Sequence, residues 1–234
     1  MRPCLIKQPA GIGDVFFCQK IARLMMMKGY DVVWPLKPDI QWIQKYIKDI
    51  WFPMTTDDFP MKDIYEHGAG AVVEDNAAFI SMATADMTHN DGKIMSSKYS
   101  MLGLDYSDWK DWFKFDRDFA KEDDLYYNVL GLKDDSEFVF INNLYNEGRN
   151  CELMLPENYN LPVVELQYID GYTLFDWCKV FEKAKSVYTI NTSLNYIIDV
   201  LDTSYENYVV VAHNEKNMTE IDYLFSTPHT LICK

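Results

Sequence analysis

A glycine-rich turn near the start of the chain has residue types that suit anion binding or proton transfer. The run Gly11-Ile12-Gly13-Asp14 follows a short apolar segment and precedes apolar residues at helical spacing. Glycine permits the sharp bend and close backbone approach that such a turn needs, and a helix N-terminus offers unpaired N–H groups to an anion. Asp14 has two interpretations, an N-cap carboxylate or a general base that faces a crevice. Phe16 stands where the dinucleotide pattern requires its third glycine, which argues against a nicotinamide enzyme.

The elements around this turn form a predicted βαβ unit. The pattern indicates a strand over 4–8, a helix that runs from Asp14 to the stop at Gly29, and a second strand over 31–34 that Pro35 ends. Two strands joined through a helix are expected to pair in parallel with a right-handed crossover.

The remainder of the N-terminal half is less regular. Apolar spacing predicts a helix over 40–50, a buried strand over 69–74 and a helix over 122–131, with loops and short helices between 81 and 118. An aromatic cluster in that stretch indicates core or interdomain packing more than a sugar-stacking platform; its members are Tyr106, Trp109, Trp112, Phe113 and Phe115. A polar loop over 89–93 is either a plain turn or part of an acceptor site.

The C-terminal half repeats the alternation of strands and helices. Strands are predicted over 137–142, 161–166, 186–190 and 208–212, with helices over 173–184 and 193–201 and Thr173 as an N-cap. This rhythm predicts a second parallel sheet covered by helices. The fold class is therefore α/β with two Rossmann-like domains, which we place at 1–134 and 135–234.

Composition excludes several classes of protein. The chain has 234 residues, 48% of them hydrophobic, and no uninterrupted apolar stretch of the about 18–20 residues that a membrane span needs. Five cysteines without CxxC spacing indicate small buried side chains in a reducing compartment, so a cytoplasmic protein is expected. The four histidines have no metal-binding spacing, so no catalytic metal is expected. A net charge of −14 disfavours duplex nucleic acid as a partner.

The opening of the chain resembles the lipopolysaccharide heptosyltransferase-like glycosyltransferases, glycosyltransferase family 9. The resemblance is carried by the run Ile6 to Val15, the helix after it and the strand Tyr30 to Trp34. It implies the GT-B architecture, in which two Rossmann-like domains face each other across a cleft. The N-terminal domain would bind mainly the acceptor and the C-terminal domain mainly the nucleotide-sugar donor, and Asp14 would be the general base.

A second stretch, from Leu166 to Val200, resembles the donor-binding half of the same family. Thr192 and Ser193 match the turn that lies beside the donor diphosphate at a helix N-terminus, although a plain helix cap is the alternative. Two positions depart from the family pattern, because Asn191 replaces the usual Asp and Tyr196 replaces the usual His.

The loop after the strand 137–142 is the third candidate for donor contacts. The family places amide or hydroxyl groups there, followed by a basic residue near the phosphates, and Asn142, Asn143 and Arg149 fit that pattern loosely. A lone arginine in such a loop is otherwise solvated or salt-bridged. Glu165, at the end of the next predicted strand, is a candidate for the ribose.

Together these residues predict a glycosyltransferase that moves a sugar from a nucleotide-activated donor to an acceptor hydroxyl. The resemblance implies an inverting, metal-independent transfer, with a glycan or another hydroxyl-bearing molecule as acceptor. No cofactor is expected beyond the nucleotide sugar itself, which is a co-substrate. Two alternatives stay open: a non-catalytic sugar-binding, nucleotide-binding or assembly protein that retains the fold, and a sugar-nucleotide epimerase.

Overall fold

The chain folds into two compact units, Met1–Asp116 and Arg117–Lys234. The computed structural model describes residues 2–7, 11–54, 70–82, 94–145, 149–150, 160–212 and 215–233. The division falls earlier than residue 134, because the segment after Asp116 packs on the second unit. Arg117 donates hydrogen bonds to Glu182 at 2.5 and 2.9 Å, and the Tyr126 ring lies 6.3 Å from that of Phe138.

The first unit is built on a mixed four-stranded sheet. Its described elements are β1 (Pro3–Lys7), α1 (Ile12–Phe17), α2 (Gln19–Met27), β2 (Asp31–Val33), a 3-10 helix (Pro38–Lys45), β3 (Gly70–Val73), β4 (Ala78–Ser81), α3 (Ile94–Ser100) and α4 (Trp109–Trp112). The strand order is β2-β1-β4-β3. β1 is parallel to both β2 and β4, and β3 is antiparallel to β4 at the edge.

The predicted βαβ unit is confirmed. β1 and β2 pair in parallel from Pro3 opposite Asp31 onward, and the connection between them is helical. The helical connection is divided at Cys18, whose backbone ends α1 and begins α2. Its apolar residues are packed inside the unit, with Phe16, Ile21 and Ala22 buried.

Two predictions for the first unit are wrong in part. The predicted helix over 40–50 is a shorter 3-10 helix, because the Gln44 side chain bonds the backbone of Ile47, Ile50 and Phe52 in place of further helical hydrogen bonds. The predicted buried strand over 69–74 is β3, an edge strand that is exposed along its whole length. The buried strand of this region is β4, in a stretch that begins before the predicted irregular segment.

Two members of the aromatic cluster, Trp109 and Phe113, lie in the core of the first unit as predicted, and Tyr106, Trp112 and Phe115 are half-buried. The rings of Phe16 and Phe113 stack at 4.7 Å, and Trp109 lies 5.7 Å from Phe17. Trp109 and Phe113 are both buried, so these rings are not exposed for stacking on a sugar. The polar loop over 89–93 lies outside the described residues.

The second unit contains a five-stranded parallel sheet. Its described elements are α5 (Phe119–Asp123), a π-helix (Asp124–Val129), β5 (Val139–Asn142), β6 (Leu144–Tyr145), β7 (Arg149–Asn150), β8 (Val163–Glu165), a 3-10 helix (Leu174–Trp177), α6 (Cys178–Lys183), β9 (Ser186–Ile190), α7 (Leu194–Leu201), β10 (Asn207–Ala212), α8 (Glu215–Leu224) and β11 (Thr230–Cys233). The sheet order is β11-β10-β9-β5-β8, and β6 and β7 form a separate two-stranded ribbon.

The sequence predicted most of this unit. The four strands of the C-terminal alternation are present and pair in parallel. Thr173 caps its helix as predicted, in a capping box in which its N–H donates to Asp176 at 2.7 Å. The sequence missed α8 and β11, which extend the sheet beyond β10.

Three of the four described cysteines fit the prediction of small buried side chains, whereas Cys233 is half-buried. Cys4, Cys18 and Cys178 are buried free thiols, and burial raises the pKa of Cys4 to about 11. Cys151 lies outside the described residues. Among the described residues, no helix has both the length and the apolar character needed to cross a membrane.

Candidate functional site

The strand order locates one candidate cluster in each unit. In an open α/β sheet, ligands bind beyond the carboxyl ends of the strands, where the strand order reverses. In the first unit that point lies between β1 and β4, and in the second between β5 and β9. We call the residues at the first point the N-terminal cluster (Gly11, Asp14 and Lys98). We call those at the second point the C-terminal cluster (Asn142, Asn143, Glu165, Thr189, Thr192 and Ser193).

Asp14 lies in the first turn of α1, in the N-terminal cluster. Gly11 occupies the N-cap position with an extended backbone and makes no side-chain capping bond, so the interpretation of Asp14 as the N-cap is wrong. A carboxylate in the first helical turn is stabilised by the positive end of the helix dipole. The side chain of Asp14 is 18% exposed, so solvent and small molecules reach part of it.

Gly11 is required for the position of the Asp14 side chain. A Cβ atom on residue 11 would lie 2.5 Å from a carboxylate oxygen of Asp14, which is too close for any real side chain. The φ of Gly11 is −129°, which any residue adopts, so the reason for glycine is space and not backbone conformation. Gly13 is the second residue of the same helix.

Lys98 is a functional candidate that sequence reasoning missed. Its ammonium group forms an ion pair with Asp14 Oδ1, and its side chain is only 4% exposed. The residue after it, Tyr99, donates a hydrogen bond to the carbonyl of Phe17, which attaches α3 to α1. No spacing in the sequence connects Lys98 with Asp14, because the two residues are 84 positions apart and only the tertiary fold brings their helices together.

Asn142 holds the C-terminal cluster together. Its amide nitrogen donates to Thr189 Oγ1 and Thr192 Oγ1, both at 3.1 Å, and its carbonyl oxygen accepts from the N–H of Leu144 at 3.1 Å. The residue is buried. Because both amide hydrogens and the oxygen are used inside the protein, Asn142 fixes the end of β5 to β9 and to the following turn.

The turn before α7 presents hydroxyl groups at a helix N-terminus. Thr192 accepts from Asn142, which leaves its own O–H to donate, and Ser193 is the N-cap of α7 without a side-chain capping bond. The N–H groups of Asn195 and Tyr196 bond the carbonyls of Thr192 and Ser193 at 3.1 and 3.2 Å. These two N–H groups are therefore used within the turn, and the neutral donors that the turn can present to a phosphate are the hydroxyls of Thr192 and Ser193 and the N–H of Leu194.

The remaining predicted donor residues fall into two groups. Asn143 donates to Glu165 Oε1 at 2.7 Å, so these two candidates meet at the ends of β5 and β8. Arg149 is in β7, where its backbone pairs with Tyr145, and its side chain lies outside the described part of the structure. The predicted role of Arg149 at the phosphates therefore stays a prediction.

The departure at Tyr196 has a structural explanation. The Tyr196 ring is buried and meets the ring of Phe225 edge-on at 5.0 Å. Where the family pattern has a histidine, this chain therefore has a core aromatic residue. At Asn191 the backbone N–H bonds the carbonyl of Val211 at 2.9 Å, which continues the contact between β9 and β10.

Comparison with known proteins identifies the fold. No protein-family model matches the chain, and no curated protein matches its sequence. A solved structure of the glycosyl transferase family 9 protein from Veillonella parvula DSM 2008 matches with a TM-score of 0.58 at 8% identity, over 99% of this chain and 87% of that one. The dodecameric, iron-containing glycosyltransferase TibC from enterotoxigenic E. coli H10407 matches with a TM-score of 0.52 at 11% identity, over 97% of this chain and 61% of that one.

These matches define the class of the fold. The chain has the α/β fold with two Rossmann-like units that is found in family 9 glycosyltransferases, the GT-B type, as its sequence predicted. Iron is a property of TibC as described. Among the residues described in this chain, no group of three or more His, Cys, Asp or Glu side chains is placed to hold a metal ion.

Proposed function

We propose that this chain is a glycosyltransferase that moves a sugar from a nucleotide-activated donor to an acceptor hydroxyl. The observation that carries the proposal is a fold match to two glycosyltransferases across 99% and 97% of this chain. The two polar clusters at the strand switch points supply the residues that such a reaction needs. No cofactor enters the proposed reaction beyond the nucleotide sugar.

In the proposed mechanism Asp14 is the general base. Its carboxylate accepts the proton of the acceptor hydroxyl while that oxygen attacks the anomeric carbon of the donor. The bond from the anomeric carbon to the diphosphate oxygen breaks, and its electron pair leaves with the nucleoside diphosphate. A single displacement of this kind inverts the anomeric configuration, which is the stereochemistry that we propose.

The C-terminal cluster is proposed to bind the donor diphosphate. The hydroxyls of Thr192 and Ser193 and the N–H of Leu194, the first residue of α7, would donate to the phosphate oxygens and stabilise the leaving group. Asn142 would act indirectly, because it holds Thr192 in place. Glu165, fixed by Asn143, is the candidate for the ribose, and Arg149 remains the candidate cation in a metal-independent site.

A nucleotide- or sugar-binding protein without turnover is the second candidate function. The observation that favours it is Tyr196, whose ring is used in core packing at a position where the related enzymes carry a histidine. For either function we propose the cytoplasm as the compartment, since Cys4, Cys18 and Cys178 are free thiols.

A thermal-shift screen tests the donor site. The chain is measured with UDP, GDP, ADP and CDP and with representative nucleotide sugars, since a ligand that binds only the native state raises the melting temperature. We expect one nucleotide to give a clear shift and Ser193→Ala to weaken its binding about fivefold, which corresponds to about 1 kcal/mol for one hydrogen bond. Ser204→Ala, an exposed serine outside the cluster, is the matched control and should keep the shift.

Product analysis then separates the candidate functions. With a labelled nucleotide sugar, a transferase passes the label to a second substrate, an epimerase leaves it on the nucleotide in altered form, and a binding protein does neither. Asp14→Asn should keep the thermal shift and lose turnover. A well-folded chain that shows no shift with any nucleotide or nucleotide sugar would rule out the donor site.

A further inference from the structure

We propose that Lys98 is a positioning residue that holds the Asp14 carboxylate ready to accept a proton. This inference rests on the proposed role of Asp14 as the general base. It is supported by contacts from three separate segments of the first unit, which are the turn before α1, α1 itself and α3.

One oxygen of the Asp14 carboxylate is held by an ion pair, and the other has room because residue 11 is glycine. Oδ1 is bonded to the Lys98 ammonium group, and the other oxygen, Oδ2, occupies the space that a side chain on residue 11 would fill. Lysine at 98 thus holds the carboxylate in a position that a side chain at residue 11 would obstruct. Such preorganisation lowers the cost of reaching the reactive geometry.

The helix that carries Lys98 is itself held against α1. Tyr99 bonds the carbonyl of Phe17, and their rings lie edge-on at 4.9 Å. Within α3, the Lys98 ammonium also lies 3.5 Å from the sulfur of Met95. The position of the Lys98 ammonium group is therefore determined by the packing of α3 against α1.

The charges fit an ionised carboxylate. An opposite charge within hydrogen-bonding distance favours the ionised form of a carboxyl group, which is the form that accepts a proton. A buried ammonium group in turn requires a counter-charge. α1 carries no charged residue other than Asp14, and on α2 Lys20 is paired with Asp108 and Arg23 with Asp49.

In the reaction, the proton of the acceptor hydroxyl moves to Asp14 and the Lys98 ammonium keeps its own protons. Lys98 touches neither the sugar nor the diphosphate in this scheme. Its removal is therefore expected to lower kcat and to leave the KM for the nucleotide sugar almost unchanged.

The experiment measures nucleoside diphosphate release as a function of pH, with UDP-glucose, GDP-mannose and ADP-glucose as probes and water as the acceptor of the sugar. Lys98→Met is compared with the wild type, with Lys98→Arg and with Lys20→Met. Lys20→Met is the matched control, because it removes another ion pair of the same unit in which the lysine is largely buried, that with Asp108.

The expected result is specific to a positioning role. Lys98→Met should lower kcat about tenfold or more, a part of the about 10²–10⁴-fold that proton transfer contributes. The acidic limb of its pH–rate profile should move to higher pH by about one unit or more, since the carboxylate then loses its positive neighbour. Lys98→Arg should recover part of the lost kcat and part of the shift in the acidic limb. Lys20→Met should keep the wild-type profile. An unchanged profile in Lys98→Met overturns the proposal.

A second readout separates this inference from the proposed function. If the wild type releases no nucleoside diphosphate from any probe, the proposed function fails. The Asp14 carboxyl can then be titrated by 13C NMR in the wild type and in Lys98→Met, with Asp14→Asn to assign the signal. A midpoint that rises by about one unit or more in Lys98→Met supports the role of Lys98, and an unchanged midpoint contradicts it.

Discussion

Gly11 illustrates how a single residue determines the geometry of the N-terminal cluster. Its backbone conformation is open to any residue, and only the approach of the Asp14 oxygen demands the absence of a side chain. A glycine in a strand-to-helix turn is often explained by flexibility. Here the explanation is the volume that the neighbouring carboxylate occupies.

Replacement of this glycine should therefore affect activity more than stability. In Gly11→Ala the new methyl group would meet the Asp14 oxygen at 2.5 Å and force the carboxylate out of its place beside Lys98. We expect kcat to fall about 10²-fold, as a displaced catalytic group can cost that much. Sugar transfer and thermal unfolding are measured in parallel. Gly70→Ala, where an added methyl group meets nothing within 4 Å, is the control. Equal activity of the two variants would show that the position of Asp14 does not limit catalysis.

Some of the residues that form the two clusters could be predicted from the sequence. Asp14, Thr192 and Ser193 follow strands and begin helices, and local patterns reveal such positions. Lys98 could not be found in this way, because its pairing with Asp14 joins residues 84 positions apart. The core role of Tyr196 was also hidden, since its partner Phe225 lies in a stretch for which the sequence predicted no element.

Asn142 connects three elements of the second unit. It is the last residue of β5, it bonds Thr189 within β9, and it bonds Thr192 in the turn before α7. A buried amide with all its groups bonded stabilises one arrangement of those elements, because any other leaves polar atoms unpaired. The proposed donor turn is thus part of the sheet and not a separate flexible loop.

The replacement Asn142→Leu removes these three bonds and keeps the number of side-chain heavy atoms and their branching. We expect the free energy of unfolding to fall by about 1–3 kcal/mol, since buried polar partners lose their bonds, and the nucleotide-dependent thermal shift to weaken. Urea denaturation of the whole chain measures the first effect. Asn128→Leu is the control, because Asn128 bonds Asp124 at 2.8 Å on an exposed surface. If Asn142→Leu is as stable as Asn128→Leu, Asn142 does not hold the turn.

At the level of elements, apolar periodicity predicted the strands and helices that are buried by neighbouring elements. β9 and α7 lie in the middle of the second unit, and nearly all of their residues are buried. β3 was predicted to be buried because its residues are apolar, yet it lies at a sheet edge where no described strand covers its outer side. Sheet position is a tertiary property, and four apolar residues such as Gly70–Val73 do not encode it.

On the scale of the whole molecule, the chain passes from one unit to the next between two residues that are each bonded within their own unit, Asp116 and Arg117. Asp116 bonds the carbonyl of Tyr46 at 2.7 Å through its N–H and pairs with Lys48 at 2.8 Å, both within the first unit. The next residue, Arg117, pairs with Glu122 and Glu182 within the second. The two units therefore have separate internal contacts and can carry separate binding roles.

The overall charge constrains how the donor would be recognised. With a net charge of −14, the chain has no general attraction for phosphates, so recognition must be local. The donors that the described part of the C-terminal cluster offers are neutral hydroxyl and N–H groups. Such donors are oriented and work best at short range, which suits one diphosphate and not a polyanion.

Hydrogen–deuterium exchange of the full chain tests the separation of roles between the units. The nucleoside diphosphate that gives the largest thermal shift is added, and exchange is followed by mass spectrometry. We expect slower exchange over 140–145 and 191–196, because a bound diphosphate opposes local opening of the turn before α7, and unchanged exchange over 12–17. Ser193→Ala should reduce the protection at the same nucleotide concentration, since it removes one donor. Protection over 12–17 alone would instead place the nucleotide at the N-terminal cluster, and Asp14 would then be a donor contact and no longer a candidate base for the acceptor.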